Sequence, residues 1–114
     1  MKVKHSVAAK KRKKKVLKLT KGYWGRRSKV YRRAREFSRR ALVYAYRDRR
    51  AKKREFRSLW ITRINAAARN RGLTYREFIA GLKKKNILLS RNILAQIASE
   101  EPLVFDKLTE IVKR

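Results

Sequence analysis

Residues 28–72 read SKVYRRAREFSRRALVYAYRDRRAKKREFRSLWITRINAAARNRG. Between Gly25 and Gly72 neither glycine nor proline interrupts the chain. The content is Arg, Ala, Lys, Tyr, Leu and Glu, largely good helix formers. Val30, Ala34, Phe37, Ala41 and Tyr44 recur at helical spacing, and the phase resumes with Phe56, Leu59/Trp60, Ile64 and Ala67/Ala68. Ser28 is the expected N-cap and Gly72 the expected C-terminal stop. The pattern predicts one helix of about 43 residues, roughly 65 Å long at ~1.5 Å per residue. Arg32, Arg33, Arg35, Arg39, Arg40, Arg47, Arg49 and Arg50 point in nearly every direction around its axis. Its first part therefore has no room for a protein core around it, and makes sense only among anions.

Upstream lies the run Lys10-Lys11-Arg12-Lys13-Lys14-Lys15, followed by Leu17, Lys18, Leu19 and Lys21. Six consecutive like charges repel one another, so this segment is expected to be a disordered tail when free. Like charges at i,i+4, such as Arg35/Arg39, oppose the first part of the long helix in the same way. Residues 1 to about 55 are therefore expected to be largely disordered without RNA, while the domain from about Leu59 folds regardless. Gly22 and Gly25 flank Tyr23-Trp24, marking a turn where the backbone approaches a partner closely.

Downstream the pattern is that of an ordinary small helical domain. Thr74-Tyr75-Arg76-Glu77 is a capping-box pattern. Tyr75, Phe78, Ile79 and Leu82 then line one face, and Lys83-Lys84-Lys85 end that helix favourably for its dipole. Ser90 is placed to cap a second helix carrying Ile93, Leu94 and Ile97. Pro102 suits the first turn of a third, with Val104, Leu108, Ile111 and Val112 as its face. The expected core comprises Trp60, Ile61, Ile64, Phe78, Leu82, Ile87, Leu88, Ile93, Leu94, Ile97, Leu108 and Ile111. Alternating strand patterns are absent. The fold class is all-α: a basic tail and one very long helix (residues 1–58), running into a small globular helical domain (residues 59–114).

Charge divides the chain the same way. Of 114 residues carrying a net +28, residues 1–57 hold 25 Lys/Arg against three acids, and residues 58–114 hold 11 against five. Density of this kind requires a polyanion, and nucleic acid, with its closely spaced phosphates, is the candidate. Cysteine is absent and His5 is the sole histidine, which removes thiolate chemistry and the common zinc sites. No catalytic constellation, metal site or cofactor is expected, and no Gly-rich phosphate loop occurs. Nothing approaches the ~20 apolar residues of a membrane span, and the Lys-rich start lacks a signal peptide's apolar core. A soluble, intracellular, non-enzymatic chain is expected, with no homo-oligomer.

Arginine dominates the long helix and lysine the tail. Arginine offers a planar fork for two phosphate oxygens or a base edge, and it stacks on bases; lysine supplies adaptable point charge. The expected contact residues are Lys10 to Lys15 as written above, Lys18, Lys21, Tyr23, Trp24, Arg26, Arg27 and the eight arginines of the helix. Tyr46, Lys52, Lys53, Arg54, Arg57 and Arg63 extend them, and Lys83 and Lys84 add a domain contribution. Among the interleaved aromatics, stacking on unpaired bases is typical of RNA recognition. Phe37 and Tyr44 lie on the apolar stripe and are better explained by packing; Tyr31 and Phe56 are the remaining aromatics in the charged region. A helix-turn-helix reader keeps its basic residues on one face. Charge all round favours burial inside folded RNA, with an architectural DNA-compacting protein as the alternative.

The residues also match a known pattern. Tyr44-Ala45-Tyr46-Arg47-Asp48-Arg49-Arg50, Lys53-Arg54-Glu55-Phe56-Arg57, Leu59-Trp60-Ile61 and Arg63-Ile64-Asn65-Ala66-Ala67-Ala68-Arg69 closely resemble the bacterial-type large-subunit ribosomal protein L20 family. So do Val16-Leu17-Lys18-Leu19 with Lys21-Gly22-Tyr23, Leu73-Thr74-Tyr75 with Phe78-Ile79, and Gly81-Leu82-Lys83. The resemblance covers essentially the whole chain in order. It implies direct binding of 23S-type rRNA early in large-subunit assembly, with neighbouring large-subunit proteins as partners and no part in peptidyl transfer. Some members of the family also bind their own mRNA, which makes that mRNA a candidate partner. The implied location is the cytoplasmic ribosome, with the plastid ribosome as the alternative. The chain departs from the commoner family pattern in its Lys-rich start and over residues 87–114, where only the apolar spacing is kept.

Overall fold

A computed structural model describes residues 4–114; the first three residues of the expected N-terminal part lie outside the described residues. Five α-helices follow in order: α1 (Ser6–Leu19), α2 (Tyr31–Arg69), α3 (Tyr75–Lys84), α4 (Arg91–Glu100) and α5 (Pro102–Lys113). A 3-10 turn, Gly25–Ser28, precedes α2. No strand occurs among the described residues, so the expected all-α class holds. None of their helices is long and apolar enough to cross a membrane. By Cα packing the chain divides into one unit up to Arg50 and a second from Ala51 to Arg114, and α2 contributes to both.

The first unit corrects two expectations. The lysine block forms the body of α1 rather than an irregular tail. Lys, Ala and Leu are strong helix formers, with no glycine or proline before Gly22. The like-charged pairs Lys10/Lys14, Lys11/Lys15 and Lys14/Lys18 oppose this by only a few tenths of a kcal/mol each. Ser28 does not cap α2: its hydroxyl donates to the Gly25 carbonyl at 3.1 Å. The 3-10 turn occupies that position, so α2 begins at Tyr31 and runs 39 residues. Buried in this unit are small residues, Thr20, Ala34 and Ser38. The Thr20 hydroxyl donates to the Leu17 carbonyl at 3.3 Å and that of Ser38 to the Arg35 carbonyl at 3.0 Å, leaving neither unpaired.

In the second unit the caps stand as expected. The Thr74 hydroxyl accepts from the Glu77 amide while the Glu77 carboxylate accepts from the Thr74 amide at 2.8 Å, completing the box. That bond holds the Glu77 carboxyl below its usual range. The Ser90 hydroxyl accepts from the Ile93 amide, and Pro102 occupies the first turn of α5. Gly72, at φ 77°, ends α2: its amide donates to the Arg69 carbonyl and the Leu73 amide to that of Ala68. This two-bond closure satisfies orphan carbonyls and requires a left-handed residue. Asn86, at φ 56°, closes α3 by the same pair of bonds, from Asn86 to Lys83 and from Ile87 to Leu82.

The core is Ile64, Ala68, Phe78, Leu82, Leu94, Ala95 and Phe105, with Trp60, Ile79, Ile87, Ile97, Leu108 and Val112 packed against it. Four expected members are not there: Leu88 is 85% exposed, Ile93 and Ile111 are also exposed, and Ile61 is half-buried outside the core cluster. The reason in α5 is a shift of face. Phe105 stacks on Phe78 with ring centroids 4.9 Å apart, turning positions 105, 108, 109 and 112 inward rather than Val104 and Ile111. A fully buried aromatic pair outweighs the burial of two aliphatics. Arg71, left out of the expected contact set, is structural: it pairs with Asp106, donates to the carbonyls of Ala67 and Pro102, and lies over the Phe105 ring.

Candidate nucleic-acid interface

Every Lys and Arg in the expected contact set is exposed, on α1, on the turn before α2, on α2, or at the end of α3. In the first unit these are the residues from Lys10 to Arg50. In the second they are Lys52, Lys53, Arg54, Arg57 and Arg63 on α2, and Lys83 and Lys84 at the end of α3. Acids neutralise few of them. Arg33 and Arg40 share Glu36 at 3.9 and 3.4 Å, and Arg47 pairs with Asp48 at 3.0 Å. The Asp48 carboxylate raises the pKa of the Arg47 guanidinium, first through this hydrogen bond and then through its charge. Among the described residues no other Lys or Arg from 10 to 57 has a carboxylate within 4.0 Å. The pairs that exist are exposed and screened by solvent, and do not hold their arginines back from a stronger anion.

Aromatic rings organise the cations. Arg27 lies over Phe37 at 4.1 Å, Arg47 over Tyr44 at 4.7 Å and Arg50 over Tyr46 at 4.9 Å. Arg40 also faces Phe37, Lys13 faces Tyr31, and Lys52 faces Phe56, each within 6 Å of the centroid. Such contacts occur roughly once per 70–80 residues in structures. Their crowding here means the rings act as shelves for the cations, and the Arg27 and Arg50 guanidiniums have no carboxylate within 4.0 Å. The expected choice of packing over stacking for Phe37 and Tyr44 is thus resolved differently for each. Phe37 is half-buried under two arginines, whereas Tyr44 is 50% exposed.

The turn carrying Tyr23-Trp24 is built by glycines. Gly22 and Gly25 take φ of 89° and 62°, and the Tyr23 amide donates to the Thr20 carbonyl at 3.0 Å. Tyr23 is half-buried; Trp24 is 89% exposed. A cleft of about 360 Å³ opens between this turn and α2, lined by Tyr23, Trp24, Arg27, Phe37, Arg40, Ala41 and Tyr44. Sequence spacing did not reveal it, because the two walls come from segments joined by a turn whose path depends on two positive φ angles. It also gave no sign of Leu42 and Val43, both 64% exposed on α2.

Comparison with known proteins decides what carries this surface. The sequence profile of the family described as "Ribosomal protein L20" matches residues 2–108. The chain belongs to the ribosomal protein L20 family. It is 54% identical over 111 residues to the "Large ribosomal subunit protein bL20" of Carboxydothermus hydrogenoformans, covering 97% of this chain and 95% of that one. It is similar to the protein of the same name from Desulfatibacillum aliphaticivorans, 52% identical over 114 residues, covering 100% and 98%. The Nitrosomonas europaea protein, 55% identical over 111 residues, covers 97% of this chain and is itself covered to 93%. The L20 family comprises structural proteins of the ribosome, not enzymes, so the expected non-enzymatic, ribosomal character holds. Membership leaves the DNA-compacting alternative without support.

Proposed function

We propose that the chain binds 23S-type rRNA directly and supports early assembly of the large ribosomal subunit, without entering peptidyl-transfer chemistry. One observation carries the reading: a run of exposed, mostly unpaired cations from Lys10 to Arg57, set around a helix rather than on one face. A duplex docked on one side would leave half of these charges unsatisfied, whereas folded RNA offers phosphates on several sides. Bringing RNA segments together costs phosphate repulsion. Cations fixed between the segments lower that cost, so tertiary contacts persist. In this role Arg32, Arg33, Arg35, Arg39, Arg40, Arg47, Arg49 and Arg50 supply most of the affinity. The second unit anchors one end of α2, and Arg63, Lys83 and Lys84 add contacts from it. The large-subunit names of the relatives support the same partner, with neighbouring large-subunit proteins beside it. Competition at fixed salt between a 23S-type rRNA fragment and duplex DNA of equal length tests it. The rRNA fragment is expected to win, and equal affinity would overturn the proposal.

A further inference from the structure

We infer that Trp24 and the two clefts it lines form a site for one unpaired nucleotide, with its base in one cleft and a phosphate in the other. The inference deepens the RNA-binding reading and rests on it, turning a general cationic surface into a site that selects unstacked bases.

The two clefts share Trp24, Arg27 and Phe37 in their lining and have about equal volumes of 360 Å³. Their chemistry differs. The first adds Tyr23, Ala41 and Tyr44, giving a largely apolar lining with Arg40 beside it. The second adds Gly25, Arg26 and Arg33, a cationic lining. An apolar, aromatic slot suits the face of a base, and a slot with several guanidiniums suits the phosphate attached to it.

The indole itself is held out unused. Trp24 is 89% exposed, and among the described residues no ring or cation packs on it. The turn presenting it is nevertheless fixed. Positive φ at Gly22 and Gly25 sets the backbone on either side, and Arg27, laid on Phe37 at 4.1 Å, ties the turn to α2. The backbone of the turn is thus shaped before binding, and the indole is what the occupant has still to order. Charge selects the occupant. Four arginines line the two clefts, and only Glu36 opposes any of them, touching Arg33 and Arg40. An apolar protein partner would bury these cations without counter-charge, at a cost. A nucleotide brings an aromatic face and the anion together.

The chain has two tryptophans, so Trp60→Phe leaves Trp24 as the sole indole reporter. Its emission is followed during titration with an RNA hairpin whose loop is unpaired adenines, and with a fully paired RNA of the same length. Anisotropy of the labelled RNA reports binding independently. Saturable quenching by the looped RNA, much weaker with the paired one, is the expected result. Equal quenching by both, or none while anisotropy reports binding, would overturn the site. No anisotropy change with either RNA would instead overturn the RNA-binding reading, and the site with it. If Trp60→Phe does not fold, the difference in emission between the unsubstituted chain and Trp24→Phe gives the same signal. Trp24→Ala is expected to lower affinity for the looped RNA by roughly tenfold or more, and Trp24→Phe to restore most of it, as loss of one stacked base requires.

Discussion

Replacing Gly81 with alanine should destabilise the second unit, although alanine is the better helix former. Gly81 sits in α3 where it meets α5. A Cβ added there would overlap Val112 Cγ1 and lie 3.1 Å from its Cβ and Cγ2. With open space, the substitution would stabilise the helix by about 1 kcal/mol. Forcing an extra carbon into a packed contact costs typically 1–3 kcal/mol. Valine, branched at Cβ, has little freedom to turn away. The net expectation is a loss of about 1 kcal/mol, within a range of roughly 0–2. Val112→Ala removes the obstructing γ carbons, at a cost of about 1 kcal/mol because Val112 is only half-buried. In that background Gly81→Ala should change sign and stabilise, giving a coupling of about 2 kcal/mol. Urea unfolding of the full chain, followed by emission of the core-packed Trp60, measures all four corners of the cycle. Stabilisation by Gly81→Ala alone, or the same sign in both backgrounds, would refute the close approach of α3 and α5.

Four further outcomes follow from the caps and charges. Thr74→Ala should cost about 1 kcal/mol, read from the same urea midpoint, because it removes the hydroxyl that accepts from Glu77. Accepting from the Thr74 amide depresses the folded-state pKa of Glu77. Its contribution is therefore complete above the ordinary 4.5 and is lost as pH falls through the lower folded value; Glu77→Gln should flatten that acid-side loss in a pH series of urea midpoints. Replacing Arg32, Arg35 and Arg39 together with alanine should reduce the magnitude of the log K against log salt slope for rRNA by about 2–3. Far-ultraviolet circular dichroism of the free chain should gain helical signal as salt rises, because α1 carries three like-charged i,i+4 pairs that salt screens.

Strong local signals carried most of the fold into the sequence. A stretch without glycine or proline named α2, and Thr74, Ser90 and Pro102 named the starts of α3, α4 and α5, because caps are set by residues within one turn. Core membership was legible where a residue's face was unambiguous, as at Ile64, Phe78, Leu82 and Leu94. It failed in α5, where two overlapping apolar stripes compete and the Phe78–Phe105 stack selects between them. That choice is made by a partner distant in sequence. The lysine block misled in the other direction: its charge argues for disorder, yet its residues are helix formers and the repulsion per pair is small. For the candidate interface, composition located the cations, while the pairing of Arg27 with Phe37 and the clefts beside Trp24 required the turn's backbone path. Charge density is additive along the chain; a cleft between two segments is not.

The central claim is that residues 10–57 engage many phosphates of rRNA at once. The direct measurement is the affinity of the full chain for a 23S-type rRNA fragment across a series of monovalent salt concentrations. With ten phosphates engaged, log K should fall against log salt with a slope of roughly −7 to −9. A slope near −2, the signature of about two or three phosphate contacts, would contradict the account.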